Sequence, residues 1–110
     1  MKIKFCGIRR LEDVTAVNLC QPDYMGMILS GGFRRSISQE QAQRLVQEKS
    51  AAIAAVGVFV NESSETICHM AEQLHLQVIQ LHGNESAEQI QTLQQKTGLP
   101  VWKALRIGTL

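Results

Sequence analysis

The sequence predicts an α/β fold with a parallel sheet, and three observations lead to this prediction. Apolar runs of strand length alternate with segments whose apolar residues recur at helical spacing. The strand runs are continuous, which is typical of strands that are covered on both faces. Each strand and its following helix take about twenty to thirty residues, a length that suits a β-α-β unit. The 110 residues are enough for one domain with a sizeable core.

The first half of the chain contains two of these units. A short strand over Ile3–Phe5 is followed by a glycine turn and by a helix whose apolar residues are Leu11, Val14, Val17 and Leu19. Pro22 ends that helix, and the next strand covers Tyr24–Leu29. After a glycine-containing loop, Ser38 is the expected N-cap of the second helix, with Gln41 completing a capping box.

The second half repeats the pattern. The clearest strand covers Ile53–Val60, which is rich in β-branched residues. Ile67, Met70, Ala71 and Leu74 then form the apolar face of a third helix. A fourth strand is predicted over Gln77–His82, and Ser86 caps the next helix. That helix ends at Gly98 and Pro100, and a fifth strand covers Val101–Leu105.

Alternating strands and helices leave two architectures open. One is a complete, doubly wound five-stranded sheet, and the other is part of an eight-stranded β/α barrel, which normally needs at least about 200 residues. Both require parallel strands with right-handed connections. Hydrophobic periodicity does not distinguish them, because it reports which residues are buried and not which strands are neighbours.

Composition and charge exclude several classes of function. The net charge is +1, so neither nucleic acid nor an anionic membrane surface is an expected partner. The longest apolar run, Ala51–Val60, is too short to cross a membrane, and the start of the sequence lacks the apolar core of a signal peptide. The three cysteines and three histidines are not at metal-ligand spacing, so no metal is expected. An odd number of cysteines without a CxxC motif is typical of a reducing compartment, most simply the cytoplasm.

Polar residues that could carry chemistry lie near the ends of the predicted strands: Cys6, Arg35 and Asn61 follow the first three, and Gln80 and His82 lie in the fourth. The carboxyl ends of parallel strands meet at one face, so these residues would converge there. Each also has a simpler interpretation. A free cysteine is usually a small buried hydrophobe, an arginine is usually at the surface, an asparagine can cap a helix, and a histidine can be structural. No glycine-rich phosphate motif is present.

Four motifs together resemble one enzyme family. They are Lys4-Phe5-Cys6-Gly7-Ile8, Val56-Gly57-Val58-Phe59-Val60-Asn61, Gln80-Leu81-His82-Gly83-Asn84-Glu85 and Val101-Trp102-Lys103-Ala104. In this order they resemble phosphoribosylanthranilate isomerase of tryptophan biosynthesis, and the resemblance covers the whole chain. It implies that the fold is of the TIM (β/α)8-barrel type, here with the first four βα units and the fifth strand.

The resemblance also implies a reaction and roles for single residues. The reaction is an Amadori rearrangement of a small phosphorylated substrate, N-(5-phosphoribosyl)anthranilate, and it requires neither cofactor nor metal. Cys6 matches the family's general base, and nearby Arg9 and Arg10 would favour its thiolate form. Arg35 matches the arginine that holds the anthranilate carboxylate. Gln80 and His82 are expected to line the substrate site.

Two parts of the family's active site have no counterpart in the 110 residues. The general acid is an aspartate on the sixth strand, and the phosphate lies on loops after the seventh and eighth strands. Asp13 and Asp23 do not fit the acid's position. We therefore expect residues 1–110 to be the N-terminal part of the barrel and to be inactive alone.

A non-catalytic alternative remains open. A half-barrel that self-associates as a homodimer, or that pairs with a complementing C-terminal half-barrel, would cover its open strand edges. A self-contained flavodoxin-like binding domain ranks last, because no ligand loop supports it.

Overall fold

The computed structural model describes residues 3–32, 34 and 36–103 and contains five strands alternating with four helices. The strands are β1 (Lys4–Phe5), β2 (Tyr24–Ile28), β3 (Ala54–Phe59), β4 (Val78–Leu81) and β5 (Val101–Lys103). The helices are α1 (Leu11–Cys20), α2 (Gln39–Glu48), α3 (Ser64–Gln73) and α4 (Ala87–Thr97). The predicted alternation of elements is confirmed. The first four predicted strands are longer by one or two residues, because their terminal residues extend beyond the regular ladders. Ala104 and Leu105 of the predicted fifth strand lie outside the described residues.

Serine side chains cap the N-termini of three helices. The hydroxyls of Ser38, Ser63 and Ser86 each accept a hydrogen bond from the backbone N–H three residues later. One half of the predicted capping box is present, the hydrogen bond from the backbone N–H of Gln41 to Ser38, while the side-chain amide of Gln41 donates to the carbonyl of Arg9. Gly98 ends α4 in the left-handed conformation, as predicted.

All five strands are parallel, and their order in the sheet is β1-β2-β3-β4-β5. Every strand therefore lies beside the one that precedes it in the chain. A doubly wound sheet reverses direction once, as in the order 2-1-3-4-5. The strand order of this chain never reverses, which is the order found in a barrel. The doubly wound alternative is therefore wrong.

Right-handed connections that all progress in one direction place the helices on one face of the sheet. The main hydrophobic core lies between this face and the helices. Its fully buried members include Val14, Val17, Met25, Met27, Leu45, Phe59, Ile67, Ile79, Leu81 and Leu93. Leu19, expected on the buried stripe of α1, is 81% exposed, because α1 meets the sheet through Val14 and Val17.

The opposite, inner face of the sheet carries a second apolar cluster of Val56, Val58 and Val78, against which Tyr24 and Trp102 pack. The two aromatic rings lie edge to face with centroids 4.9 Å apart. In a flat sheet, β2 and β5 would be about 14 Å apart, given about 4.8 Å between neighbouring strands. Their contact therefore shows that the sheet curves towards this face. Among the described residues, no helix is long and apolar enough to cross a membrane.

Candidate active site

Cys6 follows β1 directly at the carboxyl end of the sheet, and it is exposed. The interpretation of Cys6 as a buried small hydrophobe is therefore wrong. Side chains alternate between faces along a strand, so Cys6 shares the inner face with Lys4, two residues earlier. Gly26 of β2 lies beside it, and a Cβ at Gly26 would be 3.6 Å from the Cα of Cys6. The thiol is thus accessible at the edge of the curved inner face.

Gln80 and His82 belong to β4 and the residue that follows it. Gln80 is half-buried on the inner face, where its side-chain oxygen accepts a hydrogen bond from Lys4. His82 continues the same alternation, its side chain is exposed, and its backbone N–H donates to the carbonyl of Phe59 at 2.9 Å. The structure therefore places Cys6, Gln80 and His82 at the carboxyl end of the sheet, with the side chain of Gln80 on the inner face.

Arg35 lies outside the described residues, in the loop after β2. Both sides of that loop are attached to the sheet through Ser30, which is 2% exposed. Its hydroxyl accepts a hydrogen bond from the backbone N–H of Val60 at 2.8 Å, and its carbonyl accepts one from the hydroxyl of Ser36 at 2.6 Å. Ser30 is not among the predicted site residues, although a serine directly after an apolar strand is a detectable signal.

Asn61 follows β3 and has a left-handed backbone with φ of 53°. Its side-chain oxygen accepts a hydrogen bond from the backbone N–H of Asn84 at 2.8 Å, so it joins the loops after β3 and β4. The helix-cap interpretation of Asn61 is wrong, because Ser63 caps α3. The left-handed residue lies in the short connection between the end of β3 and the start of α3.

The buried carboxylate of Glu85 is a further feature that the sequence analysis missed. Its side chain is 0% exposed and lies 2.7 Å from the ammonium of Lys103 on β5. It also accepts hydrogen bonds from the backbone N–H groups of Asn61 and Gly83, both at 2.8 Å. We call Asn61, Gly83, Glu85 and Lys103 the loop brace. It ties together the carboxyl ends of three neighbouring strands, next to His82.

Close packing and charge both hold the loop brace together. A Cβ at Gly83 would lie 2.4 Å from the side-chain oxygen of Asn61, so only glycine fits there. Burial alone would raise the pKa of Glu85, but Lys103 and the backbone N–H donors favour the charged form. The net effect lowers the pKa of Glu85 below its usual value of 4.5. The carboxylate is thus the ionised centre of the brace at neutral pH.

Neither aspartate stands in for a general acid, because both have structural partners. Asp13 accepts hydrogen bonds from the backbone N–H groups of Arg9 and Arg10 at 3.2 and 3.1 Å, at the start of α1. The guanidinium of Arg10 lies 3.8 Å from the same carboxylate. Asp23 accepts from the backbone N–H of Ile3 at 2.7 Å, before β1 begins. Among the described ranges, no group of three or more metal-ligating side chains is clustered.

The chain is similar in sequence to known isomerases over nearly all of its length. The family described as N-(5'-phosphoribosyl)anthranilate isomerase matches residues 3–109. The N-(5'-phosphoribosyl)anthranilate isomerase of Lachnoclostridium phytofermentans is 43% identical over 106 residues, which are 96% of this chain and 48% of that protein. The Caldanaerobacter subterraneus enzyme of the same name is 43% identical over 107 residues, covering 97% of this chain and 51% of the relative. The chain therefore spans about half the length of the curated relatives it matches.

Solved structures give the same result for the fold. The phosphoribosylanthranilate isomerase of Thermus thermophilus superposes with a TM-score of 0.90 at 34% identity, over 97% of this chain and 52% of that one. A phosphoribosylanthranilate isomerase in complex with reduced 1-(o-carboxyphenylamino)-1-deoxyribulose 5-phosphate has a TM-score of 0.89 at 33% identity, over 98% and 55% of the two chains. The predicted barrel-type fold is thereby confirmed. With nearly its whole length matched in sequence and in fold, the chain belongs to the phosphoribosylanthranilate isomerase family.

Proposed function

We propose that residues 1–110 are the N-terminal part of a TIM-barrel phosphoribosylanthranilate isomerase in tryptophan biosynthesis. The whole protein would convert N-(5-phosphoribosyl)anthranilate into 1-(2-carboxyphenylamino)-1-deoxyribulose 5-phosphate. One observation supports the proposal most: Cys6, Gln80 and His82 lie at the carboxyl ends of β1 and β4, where β/α barrels hold their active sites. The three free cysteines support the proposal of a reducing, cytoplasmic location.

Cys6 is the proposed general base of this reaction. After an acid protonates the ribose ring oxygen, the ring opens and leaves a protonated imine between C1 and the anthranilate nitrogen. The thiolate of Cys6 takes the proton from C2, and the electron pair of that bond forms the C1–C2 double bond of an enol-amine. Tautomerisation of the enol-amine then gives the ketone. An exposed thiol at a strand end has the access that this step requires.

Arg35, Gln80 and His82 are the proposed substrate-binding residues. An arginine pairs well with a carboxylate, which suits the anthranilate group. Gln80 and His82 offer hydrogen-bonding groups on the same face as Cys6. The related structure that contains a reduced 1-(o-carboxyphenylamino)-1-deoxyribulose 5-phosphate supports a substrate of this chemical class.

A chimera tests the proposal. Residues 1–103 would be joined to the second half of the Lachnoclostridium phytofermentans relative, which is 43% identical to this chain in the matched half. We expect the chimera to isomerise N-(5-phosphoribosyl)anthranilate, followed by loss of the substrate's fluorescence, and the 110-residue chain alone to show no turnover. An inactive chimera that folds with the expected circular dichroism would contradict the proposal. Turnover by the chain alone would contradict its dependence on an acid from the second half.

A second candidate function is that of a non-catalytic half-barrel that associates through its strand edges. Within the described ranges, β1 pairs with β2 and β5 pairs with β4, so each presents a second edge. Tyr24 and Trp102 of the inner face remain partly exposed. We expect light scattering to give a mass of twice 12.2 kDa or more for this candidate. A clean monomer at all concentrations would contradict it.

A further inference from the structure

Lys4 crosses the inner face of the sheet to reach a strand that is not its neighbour. It lies on β1, half-buried, two residues before Cys6. Its ammonium donates a hydrogen bond to the side-chain oxygen of Gln80 on β4 and lies 5.9 Å from the ring centroid of Trp102. Because β2 and β3 lie between β1 and β4, the lysine side chain spans the concave floor beneath the candidate site.

Gly26 of β2 leaves the space through which this side chain passes. A Cβ at Gly26 would lie 3.4 Å from the Cε atom of Lys4, which is ordinary contact distance. An alanine would therefore fit, whereas the additional methyl groups of valine would enter the space that Lys4 occupies. The crossing thus depends on a very small residue at this position of the inner face.

The hydrogen bond determines which way the amide of Gln80 faces. A lysine ammonium has three donors and no acceptor, so only the oxygen of the amide can be its partner. The amide nitrogen, with its two protons, must then point away from Lys4. The positive charge also polarises the amide and makes these protons better donors.

We propose that Lys4 is a positioning residue that commits Gln80 to donating hydrogen bonds from Nε2 to an oxygen of the bound substrate. The inference rests on the proposed function, because it assigns a role to a residue of that substrate site. A substrate with a carboxylate, hydroxyls and a phosphate offers acceptor oxygens throughout. The arrangement favours such an acceptor over a group that can only donate, because the amide turns its oxygen towards Lys4 and its two N–H donors away from it.

Spectra of the ¹⁵N-labelled 110-residue chain test the orientation without any substrate. The side-chain amide signal of Gln80 is identified by its loss in Gln80→Glu. We expect the ¹⁵N shift of this amide to move towards that of exposed glutamines in Lys4→Met. The same change is expected in Gly26→Val, a variant that keeps both Lys4 and Gln80. Gly26→Ala should leave the ¹⁵N shift of Gln80 unchanged. Lys96→Met, at an exposed position of α4, is the matched control for the loss of one charge. An unchanged Gln80 signal in a folded Lys4→Met chain overturns the proposal.

Binding of reduced 1-(o-carboxyphenylamino)-1-deoxyribulose 5-phosphate at millimolar concentration tests the donor role. Trp102 is the single tryptophan of the chain and reports binding by fluorescence. We expect Lys4→Met and Gln80→Glu to weaken binding about tenfold, as expected for one lost hydrogen bond to a charged group, and Lys96→Met to leave it unchanged. Unchanged affinity in Lys4→Met overturns the positioning role. Absence of binding by the wild-type chain contradicts the proposed substrate site instead, and the spectra still decide the orientation of Gln80.

Discussion

Replacing Cys6 with serine in the barrel chimera is expected to lower kcat by about 10²–10⁴-fold, the range that a single general base contributes. A serine hydroxyl releases its proton far less readily than a thiol, so the C2 proton would have no acceptor at the same position. Because the two side chains are nearly isosteric, KM should change little. Steady-state kinetics with N-(5-phosphoribosyl)anthranilate measure both constants.

Cys20→Ser is the matched control for this substitution. Cys20 is equally a free, exposed cysteine, but it ends α1 at a distance from the strand ends. We expect this variant to keep wild-type kcat and KM. Near-normal kcat in Cys6→Ser would remove Cys6 from the proposed mechanism, even if the chimera itself is active.

Glu85→Ala is expected to lower the free energy of unfolding of the 110-residue chain by about 2–4 kcal/mol, because it leaves Lys103 and two backbone donors without their buried partner. The side chain of Glu85 is 0% exposed and that of Lys103 is 26% exposed, so water replaces the carboxylate only in part. Urea denaturation followed by circular dichroism gives the difference. Glu72→Ala, on the exposed surface of α3, is the control and should change stability by less than about 0.5 kcal/mol.

The same carboxylate should make stability depend on pH. Since folding lowers the pKa of Glu85, its contribution is complete above the unfolded-state value near 4.5 and is lost as pH falls through the lower folded-state value. We therefore expect the urea midpoint to fall more steeply in the wild type than in Glu85→Gln as the pH is lowered below about 4.5, where this contribution begins to be lost. Parallel pH profiles would contradict the assigned ion pair.

The order and type of the secondary-structure elements follow from local sequence signals, and the structure confirms them. Continuous apolar runs placed the strands, while Ser38, Ser86 and Gly98 marked helix ends through hydrogen bonds that span only three or four residues. The order of the strands in the sheet does not follow from such local signals. Both candidate architectures contain the same local units, so hydrophobic periodicity left both open. The family motifs implied the barrel, and the pairing of each strand with its predecessor excludes the doubly wound sheet.

For the site, local sequence signals placed Cys6 directly after a strand and His82 at the end of one, and the family motifs implied their roles. The polar contacts around these residues are visible only in the tertiary structure. The Lys4–Gln80 hydrogen bond joins residues 76 positions apart, and the loop brace joins Asn61, Glu85 and Lys103 from three different strand ends. Such contacts arise only when a parallel sheet curves and its loops pack together. A periodicity in the sequence records burial along one element, and it contains no information on which distant polar group an element will meet.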